Sequence, residues 1–305
     1  MQRWKPKPAS GLWIGVALLV VVLGGLGFFT VRLIPTFLQP PQTWPISLFL
    51  YAEVLSASLL MAAAAFLLYR VIGGFSLTYE VDRNGIYIRW LGNRTIIPMD
   101  EVEMIEQGTP DAKLPWPFLQ GIGYYWGVGQ TSEGKRLHLF STLSPNHYYV
   151  IHTANNAYAV SPNNPDQFVQ HLEQCRRLGA VNPLSESSDY GKFLSYRFWN
   201  DMVIRRAIVT ALILNLAIFG ILMAFYPDLS SMIMLRFNAA SEIVELRPRH
   251  QILFLPLAAF GLIVLNTGIG IAIHRQEPTG TRLLQITSVL MQVMFGIAIL
   301  LVISH

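Results

Sequence analysis

The chain has 305 residues, 52% hydrophobic and only 13% charged, against about 25% charged in an ordinary soluble domain. That balance excludes a wholly water-exposed fold, and the single cysteine, Cys175, excludes an intrachain disulfide. The net charge of +4 does not argue for nucleic acid, because the surplus sits mainly beside apolar segments.

Five apolar runs organise the chain: 12–31, 46–69, 207–226, 251–273 and 283–304. A bilayer core of about 30 Å needs about 20 apolar residues in a helix. In lipid each run must be helical, since a lone strand would leave its backbone groups unpaired. The first run follows Arg3, Lys5 and Lys7, but it is too long for a signal peptide and no small-x-small cleavage site follows it. It reads as a retained anchor. If the spans alternate, Arg3, Lys5, Lys7, Arg70, Arg176, Arg177, Lys192, Arg197, Arg205, Arg206, Arg275 and Arg282 fall on one side. The other side has Arg32, Arg236, Arg247 and Arg249, partly offset by Asp228, Glu242 and Glu245. The richer side is expected to be cytoplasmic. The expectation is a multi-pass plasma-membrane protein with its N-terminus inside and His305 outside. Trp13, Trp44 and Tyr226 sit at span boundaries, as interfacial aromatics do.

Between residues 74 and 180 the pattern shortens and alternates. Thr78–Val81, then Asn84-Gly85, then Ile86–Trp90 reads as a hairpin. Asn93-Arg94 reads as a second turn, before Thr95–Pro98. Tyr124–Gln130 with Arg136–Leu143 reads as a further hairpin, and Tyr148–Thr153 with Ala157–Val160 as a third. A helix then starts after Asn164 as N-cap, with Pro165 in the first position and Asp166 at the positive end. Phe168, Leu172 and Cys175 share one face, and Gly179 ends it. The pattern is about seven strands and one capping helix.

The segments Tyr79-Glu80-Val81 to Gly85-Ile86, Ile97-Pro98 before Val102, Gly121-Ile122-Gly123-Tyr124-Tyr125, and Tyr158-Ala159-Val160-Ser161-Pro162 with Pro165 and Phe168 resemble bacterial pleckstrin-homology (PH)-like membrane proteins. The expected fold is an α-helical membrane protein of five transmembrane helices with an inserted β-rich PH-like barrel capped by one C-terminal helix. Its expected parts are a two-helix membrane region at 1–73, the PH-like domain at 74–180, a juxtamembrane linker at 181–206 and a three-helix membrane region at 207–305. The resemblance implies a binding or scaffolding module without catalysis. Residues 75–177 carry eight basic and ten acidic residues, a net charge of −2, which does not attract polyphosphates strongly. A protein partner at the cytoplasmic face is therefore expected, with no nucleic acid partner.

Two other readings stay open: a small transporter or sensor using the helices, and a lipid-binding module. Glu53 is the one acid inside a run, about 10 Å below its outer boundary, and an intramembrane carboxylate is a functional candidate. Arg32 is its expected partner. Asn215, Asn266, Gln285 and Gln292 are expected to hydrogen-bond across helices. The apolar loop with Leu114, Trp116, Phe118 and Leu119 is a candidate contact with lipid or a partner, or a flap over the open end of the barrel. The glycines at 121, 123, 127 and 129 surround Tyr124, Tyr125 and Trp126, which read as strand. They do not meet the strand-to-helix passage of a phosphate loop. No metal or catalytic spacing emerges from the seven histidines or the acids, so no cofactor, metal or enzyme activity is expected. Clusters such as Gly24, Gly25 and Gly27, or Ala62 to Ala65, permit close helix contacts within one chain or in a homo-oligomer. Residues 233–246 alternate like a short hairpin.

Overall fold

The computed structural model describes residues 2–109, 111–115, 117–182, 184–185, 187–188, 197–237 and 243–304. Among the described residues five helices are long and apolar enough to cross a membrane, as the five runs predict. They are α1 (Ser10–Phe37), α2 (Leu48–Ser76), α5 (Met202–Phe225), α6 (Phe254–Ile273) and α7 (Pro278–Ser304); α3 (Pro165–Leu178) and α4 (Arg197–Asn200) are shorter and lie between α2 and α5. At about 1.5 Å per residue, α1 and α2 run about 42 Å, longer than the hydrocarbon core. The chain divides into two compact units, 1–26 with 59–192 and 27–58 with 193–305. The division falls within α1 and within α2.

In the first unit, β1 (Gln2–Trp4), β2 (Thr78–Val81), β3 (Gly85–Trp90), β4 (Asn93–Pro98) and β10 (Ser187–Ser188) form one sheet in the order β1-β2-β3-β4-β10. A second sheet has the order β5-β8-β9-β7-β6, from β5 (Met104–Gln107), β6 (Tyr125–Gln130), β7 (Arg136–Ser141), β8 (Tyr149–His152) and β9 (Asn156–Val160). Pairing is antiparallel except between β7 and β9, which run parallel. The expected barrel is corrected here: among the described residues the two sheets do not join into a closed barrel, because β4 pairs with β10 and β5 with β8.

Alternation places Tyr79, Val81, Ile86, Ile88, Trp90 and Ile97 on the inner face of the first sheet, against Phe140, Ile151, Tyr158 and Val160 of the second. Phe168, Leu172 and Cys175 of α3 complete that core, on the face the helical period predicts. Asn164 holds the N-cap position, but its side chain makes no capping hydrogen bond; Gly179 ends the helix at φ +70°.

The Asn-Gly turn forms between β2 and β3, where the Asp82 carboxylate accepts hydrogen bonds from the Asn84 and Gly85 amides at 2.9 and 3.0 Å. The second turn sits two residues before its expected place. Leu91 and Gly92 take positive φ, and Asn93 already starts β4. The N-terminal residues, expected only as a basic flank, form strand β1. Arg3 stands opposite Glu80, and Trp4 is buried with its ring 5.8 Å from that of Phe168, edge to face.

In the second unit, β11 (Met232–Phe237) and β12 (Ile243–Pro248) pair antiparallel, as the alternation predicts. The expected turn, residues 238–241 with Glu242, lies outside the described residues, as do Lys192 and His305. Leu222, Tyr226, Ile252 and Ile299 share an apolar cluster with Leu33, Ile46 and Leu50.

Candidate functional site

The side chain that ties the β-rich part to its helices is Arg70, near the C-terminal end of α2 and fully buried. Its Nε and Nη2 donate to the Ile122 carbonyl at 3.0 and 2.7 Å. Nη2 also donates to the Leu119 carbonyl at 3.2 Å and to the Tyr124 carbonyl. The guanidinium lies 5.1 to 5.9 Å from the ring centres of Phe66, Tyr124 and Trp126. Carbonyl dipoles and aromatic faces thus surround this cation, both favourable partners for it. Burial pushes the Tyr124 phenol above its ordinary value, with Tyr69 adding to the shift and Arg70 opposing it.

The loop approaches the helices at backbone distance. The Gly123 amide donates to the Gly11 carbonyl at 2.8 Å. A Cβ on Gly11 would stand 2.1 Å from the Gly121 oxygen, and one on Gly73 would stand 2.8 Å from the Tyr124 ring. Gly121 and Gly123 both take φ +82°, a conformation glycine adopts at no steric cost. The glycine series therefore leads from a tight turn into strand β6, which starts at Tyr125, one residue after its expected start.

The sequence-predicted loop divides. Leu114 is half-buried against Leu137, Leu139, Tyr148 and Val150, so it covers the second face of the second sheet. Leu119 is half-buried and offers its carbonyl to Arg70. Trp116 and the Phe118 side chain lie outside the described residues. In the other unit, Arg32 Nε stands 2.6 Å from Glu53 Oε1, as expected; Arg32 is half-exposed and also lies over the Phe49 ring. The loop candidates belong to the first unit and this pair to the second.

The expected polar contacts between helices also form. Asn215 donates to the Gln292 side chain at 2.9 Å and to the Pro256 carbonyl at 3.0 Å. Gln292 donates to the Ala259 carbonyl, Gln285 to that of Asn266, and Asn266 to Ser288 Oγ.

On the outer face of the first sheet, Glu80 is buried between two guanidiniums. Arg3 Nη2 stands 2.7 Å from one of its oxygens and Arg89 Nε 3.1 Å from the other. Arg94 lies over the Tyr87 ring at 4.2 Å. Behind this face, buried Tyr79 donates to the Phe140 carbonyl at 2.7 Å, and Ser161 and Thr142 link it to the carbonyl of Lys7. Burial holds the Tyr79 phenol far above its usual value, against the opposing effect of Ser161.

Residues 77–176 match the family model of a bacterial PH domain. No curated protein and no solved structure matches the chain. The PH-domain match covers about a third of the chain and begins at Leu77. It leaves out β1 and β10, the strands at the two edges of the first sheet. It also leaves out Arg70. Sequence reasoning placed Arg70 only among the flanking charges, directly after the 46–69 run; the available signal was that apolar Val71 and Ile72 continue the helix past it.

Proposed function

We propose that this protein is a non-catalytic, membrane-anchored PH-domain protein that scaffolds or recruits a protein partner at the cytoplasmic face of the plasma membrane. The five apolar helices are its proposed anchor, and the Lys and Arg asymmetry supports a PH domain inside the cell. The observation that carries the reading is Arg70. The PH domain does not hang from α2 on a free linker; its 119–124 loop is fastened to α1 and α2 by Arg70 and by glycine contacts. A module fastened in this way presents one face at a defined height above the bilayer, which suits docking of a partner. The charges favour protein over polyphosphate, because Glu80 engages Arg3 and Arg89 while Arg94 rests on Tyr87.

The test is crosslinking in native membranes followed by purification in mild detergent. Repeated recovery of this chain without a second protein overturns the reading. The transporter or sensor alternative rests on Glu53, whose carboxylate is already ion-paired with Arg32. A Glu53→Gln variant that loses a transport or sensing phenotype while keeping normal stability would favour it. Binding of the full-length protein's PH domain to anionic rather than neutral nanodisc lipid would favour the lipid-binding alternative.

A further inference from the structure

Sheet edges are templates for another strand unless the chain covers them. The first sheet ends in the short strands β1, of three residues, and β10, of two. In the second, β6 is bridged at one end by Lys113, whose amide and carbonyl bond Gln130 at 2.9 and 3.0 Å. Strand β5 is a longer edge, of four residues: among the described residues no strand pairs with its outer side. The Gly108 amide donates to Tyr148, on the β8 side. Antiparallel alternation then points residues 104 and 106 toward β8 and the backbone groups of Ile105 and Gln107 outward. Met104 is 48% exposed and Gln107 is exposed, while Ile105 packs on the core and holds the strand in place.

The surroundings of that edge are strongly acidic. Residues 100–112 include Asp100, Glu101, Glu103, Glu106 and Asp111 and no lysine or arginine. Lys135, 3.4 Å from Glu103, and Arg176, whose Nη1 donates to the Glu103 carbonyl at 3.1 Å, offset only part of this charge, and His152 hydrogen-bonds Glu106 at 2.9 Å. A second copy presenting the same edge would set like charges opposite one another, which is destabilising. We propose that β5 is a docking edge for an extended, lysine- or arginine-rich segment of the partner protein, added as a sixth strand. This deepens the scaffold reading and rests on it. Ladder hydrogen bonds to Ile105 and Gln107 supply affinity, and the acidic flank selects a basic sequence.

The probe is a fluorescein-labelled hexapeptide of alternating lysine and valine, with a glutamate–valine peptide as control, read by anisotropy against the full-length protein in nanodiscs. The lysine peptide should bind and the glutamate peptide should not. Ile105→Pro and Gln107→Pro each delete an outward amide without touching the β8 ladder. Each should weaken the lysine peptide about tenfold, with an unchanged melting temperature for Gln107→Pro and a lower one for Ile105→Pro, which also loses its contact with the core. Wild-type binding in both proline variants overturns the proposal, as does failure of the lysine peptide to bind. If Gln107→Pro also melts early, the pair Asp100→Lys and Glu103→Lys decides, since loss of peptide binding is then required. A photo-crosslinking side chain at Gln107 separates the two levels. Capture of a protein at Gln107 supports both. Capture only from Leu114 sinks the β5 site and leaves the scaffold reading. Capture from neither position sinks both.

Discussion

Nη2 of Arg70 stands 2.7 Å from the carbonyl oxygen of Ile122, 52 residues further along the chain. A helix side chain thereby replaces the water that would otherwise solvate the carbonyls at 119, 122 and 124. Arg70→Leu leaves these acceptors without their donor, and buried acceptors left unpaired cost about 1–3 kcal/mol each. We expect a loss of about 3 kcal/mol and faster amide hydrogen exchange over 119–124. Arg70→Lys, with one nitrogen in place of the fork, should fall between the two. Unchanged exchange in Arg70→Leu would show that the loop is held by other contacts.

The glycines of α1 should respond very differently to alanine. A Cβ at Gly11 would meet the Gly121 oxygen at 2.1 Å, whereas one at Gly24 meets nothing within 4 Å. Gly11→Ala must push the loop away and destabilise by about 2 kcal/mol, as overpacking commonly does. Gly24→Ala removes only glycine's entropic cost in a helix and should stabilise by about 0.5–1 kcal/mol. Thermal unfolding in one detergent gives both values, and equal shifts would contradict the close approach.

The Arg32–Glu53 pair is asymmetric, with side-chain exposure of 50% for Arg32 and 11% for Glu53. Removing the arginine strands a buried carboxylate, a change that costs about 3 kcal/mol or more. Removing the acid leaves a half-exposed guanidinium beside Phe49 and should cost about 1 kcal/mol or less. Arg32→Leu is therefore expected to unfold more easily than Glu53→Leu, and the reverse order would mean that Glu53 does not rely on this partner.

Asp201 caps α5, accepting hydrogen bonds from the Val203 and Ile204 amides at 2.9 and 3.3 Å, and Arg282 Nε stands 2.7 Å from its other oxygen. Desolvation works to raise its pKa, but the Arg282 and amide hydrogen bonds outweigh it, and the carboxyl sits below its usual value. A carboxyl whose folded pKa is lowered contributes stability that is present above its unfolded pKa and is lost as pH falls through the folded one. Acid unfolding of the wild type should therefore have a component below about pH 4 that Asp201→Asn lacks. At neutral pH that variant should lose about 1 kcal/mol. Parallel acid-unfolding curves for the two would remove Asp201 from the account.

Much of this architecture is written locally and was therefore readable. Runs of some twenty apolar residues admit only helices in lipid. The Asp82–Gly85 turn, the alternation around it and the 168/172/175 face of α3 carry their own geometry. That Asn215, Asn266, Gln285 and Gln292 bond across helices could be read from chemistry alone, since amides inside apolar helices need partners; which residue each one meets could not. The missing pieces are the nonlocal ones. Nothing in Gln2–Trp4 marks a three-residue strand whose partner lies 77 residues away. Closure of the barrel depends on which strand β4 and β5 each choose, and short alternating runs do not encode that choice. Arg70 looked like one flanking cation among many because its acceptors are backbone carbonyls, which leave no trace in side-chain identity.

Strand β1 also imposes an order on biogenesis. Residues 2–4 leave the ribosome before α1 and α2, yet the β2 residues they pair with follow both helices. The first sheet thus stays without its edge until the helical hairpin has been delivered and turned back. If the two helices cross a membrane as proposed, completion of that sheet becomes a late checkpoint on insertion, since a chain in which only one of them crosses would leave β1 and β2 in different compartments.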